Sequence, residues 1–113
     1  MKKIAILNCL RANRVCTGAA CMQAFNQRTR GFERYQGEEL ELVAFMRCSG
    51  CDAPADENAG MIEKLERLVS IGTEVLHIGK CTVKRDAQAE CPIIQRSAEI
   101  LESKGIQVVR GTH

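Results

Sequence analysis

The chain has 113 residues, 45% of them hydrophobic and 27% charged, enough for one domain with its own core and too short for two. Sixteen Lys and Arg against fourteen Asp and Glu leave a net charge of +2, with only 4% aromatic residues, which excludes the basic, aromatic-lined face of a nucleic-acid binder. No apolar run approaches the roughly 20 residues of a membrane span, and the apolar run after Lys2 and Lys3 is too short for a secretory leader, so a cytoplasmic protein is expected.

Taken in order, Lys3 to Asn8 is a short apolar run suited to a buried central strand. Val15 to Asn26 carries Val15, Ala19, Met22 and Phe25 at helical spacing. The connection from Asn26 to Glu39, with Arg28, Arg30 and Arg34, is long for a compact domain and reads as a lid or a solvated surface loop. Leu40 to Met46 is the second strand. Asp56 to Ile71 is the clearest helix, with Met61, Ile62, Leu65, Leu68 and Val69 inward and Gly72 as its stop. Glu74 to Ile78 is the third strand, Pro92 opens a third helix that ends at Gly105, and Ile106 to Val109 is the fourth strand. This alternation predicts an α/β fold with a parallel four-stranded sheet and flanking helices, flavodoxin-like or half-Rossmann, as one domain over 1–113.

Seven cysteines, at positions 9, 16, 21, 48, 51, 81 and 91, are an odd count for a disulfide framework in a reducing compartment. They are better material for metal or redox chemistry. In open parallel sheets, ligands bind outside the carboxyl ends of the strands. On the expected frame Cys9 follows the first strand, Cys48 and Cys51 the second, and Cys81 the third. His77 and His113 lie near the ends of the third and fourth strands. Cys48-Ser49-Gly50-Cys51 is the one C-x-x-C, a spacing that turns two thiolates onto one metal ion or closes one disulfide. Cys91, before Pro92, sits at a helix start, where the dipole and free amides favour thiolate.

Three residues stay open to two readings. Cys16 reaches the edge only if it precedes the first helix, Cys21 suits buried core, and His77 is either a ligand or a core histidine inside an apolar strand. Other motifs fail. There is no Walker loop, dinucleotide fingerprint or Ser-His-Asp arrangement, and Cys9 and Arg14 stand one residue too close for a tyrosine-phosphatase loop.

Cys16-Thr17-Gly18-Ala19-Ala20-Cys21, Gly31-Phe32-Glu33-Arg34-Tyr35, Cys48-Ser49-Gly50-Cys51, His77-Ile78-Gly79-Lys80-Cys81, Cys91-Pro92 and Gly111-Thr112-His113 together resemble the CGGC-domain family across nearly the whole chain. Ser49 replaces the first glycine of the name-giving motif. The resemblance implies metal binding and carries no established reaction with it.

The ligands expected first are Cys48, Cys51 and Cys81, then Cys9 and His113, then His77, Cys16 and Cys91. Zinc is the expected metal and an iron–sulfur cluster its variant, since thiolate and imidazole suit soft and borderline metals. His113 is expected to fold back over the edge, with Gly111 supplying the turn. The alternative is a thiol–disulfide enzyme or redox sensor cycling Cys48 and Cys51; an interaction domain with inert cysteines comes third.

Overall fold

The computed structural model of the chain describes residues 1–11, 15–50, 53–84 and 89–111. In chain order its main elements are β1 (Lys2–Asn8), α1 (Ala19–Gln27), β2 (Leu40–Arg47), α2 (Ala59–Ser70) and β3 (Val75–Ile78). A two-residue ladder, β4 (Val83–Lys84) with antiparallel β5 (Ala89–Glu90), then precedes α3 (Pro92–Ser103) and β6 (Gln107–Arg110). The four long strands form one parallel sheet in the order β2-β1-β3-β6. This is the predicted α/β fold, and its strand order is the flavodoxin-like one.

β1 is central because Ile4 to Leu7 are apolar without alternation and fully buried, as a parallel strand covered on both faces must be. Ile4 and Ile6 pack with Cys21, Ala24 and Phe25 of α1. Ala5 and Leu7 pack with Met61, Leu65 and Leu68 of α2 and with Ile94, Ala98 and Leu101 of α3. The sheet therefore lies between two helical layers.

Helix limits differ from the sequence reading for local reasons. Gly18 sits at φ 78°, outside helical backbone, so α1 begins only at Ala19 and Cys16 stays in the preceding loop. Val15, expected on the inner helical face, is 90% exposed. α2 starts at Ala59 because Asn58 caps it, its Oδ1 accepting from Met61 N–H at 3.0 Å. Asn58→Ala is expected to lower stability by about 1 kcal/mol, measured by urea unfolding.

The stretch between α1 and β2 is neither a lid nor a solvated loop. Residues Arg30–Tyr35 form a 3-10 helix that buries Phe32 and Tyr35 against the sheet, while Arg30 and Arg34 stay outside. Phe25 and Phe32 meet edge to face at 5.4 Å between ring centroids.

One irregularity matters for the site. Ile4 pairs with Leu42 but Ala5 with Ala44, so β2 carries an extra residue at Val43. Such a bulge re-aims the side chains that follow. Phe45 then packs with the α1 layer, and Arg47, two residues on, shares that face.

Candidate functional site

The connections from β1 leave to β2 on one side and, by way of β2, to β3 on the other, so the strand order reverses between β1 and β3. The crevice beyond the carboxyl ends of these two strands is where such sheets bind ligands. Asn8 closes β1 there, and the backbone knits three segments together around it. Cys48 N–H donates to the Asn8 carbonyl at 3.0 Å, and Gly79 N–H donates to the Leu7 carbonyl at 3.0 Å.

Sulfur collects around this knot. The Cys21 and Cys81 thiols donate to Asn8 Oδ1 at 3.9 and 3.8 Å, and Cys21 Sγ also lies 3.9 Å from Asn8 Nδ2. Three backbone amides aim at sulfur: Cys9 N–H at Cys81 Sγ (3.4 Å), Leu10 N–H at Cys48 Sγ (3.4 Å) and Gly18 N–H at Cys16 Sγ (3.3 Å). Gly79 allows the close approach, because a methyl group there would overlap the Asn8 side-chain oxygen.

Electrostatics tie the thiols together. Burial pushes the Cys81 thiol above its ordinary pKa; the amide of Cys9 opposes this, and the nearby charges of Cys9 and Cys16 add to it. Burial likewise raises Cys21, against its hydrogen bond with Asn8; Cys81 and Cys16 raise it further and Arg47 lowers it. Cys81 thus feels the neighbouring sulfurs of Cys9 and Cys16, and Cys21 those of Cys81 and Cys16.

The other candidates lie around this group. Cys48 is buried in the layer of α2 and α3, with its sulfur turned to the Leu10 amide. Cys91 is buried in the same layer at the start of α3. Cys9, Cys16, Cys48, Cys81 and Cys91 are free thiols. His77 is fully buried on the α1 side, stacked on Phe32 with 4.2 Å between centroids, its Nε2 2.8 Å from Tyr35 Oη. Burial, with Arg34 nearby, holds its pKa down at about 4. Cys51 and His113 lie outside the described residues.

Among the described residues, no three Cys, His, Asp or Glu side chains stand in metal-binding geometry. The donor chemistry nevertheless suits a thiophilic cation, since several sulfurs at the strand ends accept amide N–H groups. Sequence reasoning placed Cys21 in the core, where it lies, and missed Asn8 and Arg47. A polar residue ending the most apolar strand was the available signal for Asn8.

A small α/β sandwich with helices on both faces and a thiol cluster at its switch point is the class these features define. The chain belongs to the CGGC-domain family, whose model matches residues 3–113. It is 34% identical over 119 residues to an uncharacterized protein of Methanocaldococcus jannaschii, a match covering 98% of this chain and 86% of that one. No solved structure matches it significantly. Among the described residues, no helix is long and apolar enough to cross a membrane.

Proposed function

We propose that this domain binds a thiophilic metal ion at the carboxyl edge of its sheet, zinc first and an iron–sulfur cluster second. The supporting observation is the set of amide N–H groups turned on the sulfurs of Cys16, Cys48 and Cys81. Neutral thiols gain little from such donors, whereas a thiolate accepts them strongly. Burial and the neighbouring sulfurs raise the Cys21 and Cys81 thiols, and the opposing effect of Arg47 on Cys21 falls short of a full counter-charge. A divalent cation supplies that charge and converts the cluster to thiolates.

Cys9 and Cys81 form the centre of this reading, with Cys16, Cys21 and Cys48 beside them. Cys51 and His113 complete the candidate set from the sequence. Bound zinc would stabilise the fold by joining the loops after β1 and β3, since such a site does not exist in the unfolded chain.

The test is zinc and iron loading of reduced protein under anaerobic conditions, with affinity read by competition against a chromogenic chelator. Cys81→Ser and Cys9→Ser are expected to weaken binding by about 100-fold, and Cys91→Ser by much less. Protein that binds neither metal, and instead cycles a Cys48–Cys51 disulfide, overturns the proposal.

A further inference from the structure

Arg47 is not explained by the fold. It ends the edge strand β2, and the bulge at Val43 turns it to the α1 side. Its guanidinium lies over the Phe45 ring, 6.0 Å from the centroid, and the tip of that ring packs at Gly18, beside the start of α1. Nη1 is buried with no hydrogen-bond partner, and Arg47 makes no ion pair among the described residues. A guanidinium is permanently charged and offers only donors, so a buried N–H without an acceptor is a cost the fold has not offset.

Among the described residues no Asp or Glu pairs with it. Arg47 is near enough to Cys21 to favour its thiolate, yet burial still raises that thiol above its ordinary pKa. The described residues at the strand ends, 8–11, 47–50 and 79–81, contain Arg11, Arg47 and Lys80 and no Asp or Glu; Asp56 and Glu57, further along the connection after β2, are exposed near the start of α2, and Asp56 pairs with Arg96. Lys64 of α2 adds another cation, its Nζ donating to the Arg47 carbonyl at 2.8 Å. A cationic edge at the switch point of a parallel sheet, with a donor left open inside it, is complementary to an anion.

We infer that the carboxyl edge carries an anion site in which Arg47 recognises a tetrahedral oxyanion, either free phosphate or sulfate or the phosphoryl or sulfuryl end of a larger ligand. The planar fork of Arg47 matches two oxygens of such a group. This site is separate from metal binding and is read on metal-free protein.

The experiment titrates inorganic phosphate, then sulfate, into reduced, chelator-treated protein, followed by calorimetry. One saturable site per chain is expected, weakening as salt is raised. Arg47→Gln should weaken phosphate binding at least about tenfold, since a lost charge-assisted bond contributes on the order of one such factor or more. Arg47→Lys, which keeps the charge and loses the fork, should fall between the two. Arg67→Gln, in the last turn of α2, should bind like the parent. Absence of a saturable site overturns the inference, as does Arg47→Lys or a folded Arg47→Gln protein that binds phosphate within twofold of the parent. Zinc affinity measured on the same variants separates the two sites. Lost phosphate with retained zinc is the expected pattern; lost zinc with retained phosphate overturns the anion site and leaves the metal reading standing.

Discussion

Replacing Gly79 by alanine is expected to lower stability by about 2 kcal/mol or more and to expose the thiol cluster to reagents. The added methyl would overlap Asn8 Oδ1 and come within 3.2 Å of Asn8 Cγ and 3.4 Å of Cys81 Sγ. Neither side can retreat cheaply. Gly79 N–H is bonded to the Leu7 carbonyl at 3.0 Å, so withdrawing the backbone gives up a β1–β3 bond. Asn8 is fully buried, so its side chain has no solvent to swing into, and rotating it breaks its contacts with Cys21 and Cys81. A buried amide left unsatisfied costs about 1–3 kcal/mol, which adds to the overpacking.

Urea unfolding gives the stability change, and the rates of alkylation of Cys21 and Cys81 in the folded protein give the second readout. A double-mutant cycle sharpens the test. In an Asn8→Ala background the clash is gone, so Gly79→Ala should cost far less there than in the parent. Equal costs in the two backgrounds would show that the Asn8 contact is not the cause.

The gathering of sulfur at one edge was legible because a parallel sheet sends all its carboxyl ends the same way. Finding the strands therefore placed Cys9, Cys48 and Cys81 together. The helices were legible for a similar reason, since Met61, Leu65 and Leu68, or Ile94, Ala98 and Leu101, repeat at steps of three and four.

What escaped depends on phase and on distant partners. Moving the start of α1 to Ala19 frees Cys16 for the edge and changes which residues of the helix face inward, which brings Cys21 onto Asn8. The bulge at Val43 leaves no mark in composition, yet it decides that Arg47 shares the α1-side face with Phe45. The two residues of β4 and of β5 are too few to show a period. Phe32 and Tyr35 looked like part of a loop because their partner, His77, comes from a strand about forty residues away.

Acid is expected to weaken the fold through His77 alone by roughly 3 kcal/mol between pH 6.5 and about 4. An unfolded chain protonates this imidazole near 6.5, whereas burial among Phe32, Tyr35 and the sheet holds it neutral down to about 4. Above 6.5 both states are neutral and the histidine adds no pH dependence. Within the window the unfolded chain takes up a proton that the folded one refuses, so stability falls steadily as pH drops. Below about 4 both are charged and the loss is complete.

Structure gives the reason the folded state refuses. Tyr35 Oη engages Nε2, Nδ1 is buried without a hydrogen-bond partner, and an imidazolium would need acceptors on both nitrogens. His77→Gln keeps a polar partner for Tyr35 and cannot titrate. Its stability at neutral pH should be lower because the stack on Phe32 is lost, but its profile across the window should lose the His77 slope. Urea unfolding of both proteins at steps of pH measures this, and the imidazole shift followed by NMR gives the folded-state pKa directly. Parallel profiles for the two proteins, or a folded pKa near 6.5, would refute the assignment. Because β3 ends at Ile78, one residue past His77, and Gly79 and Cys81 follow at once, protonating this histidine is expected to loosen the strand end beside the sulfur cluster.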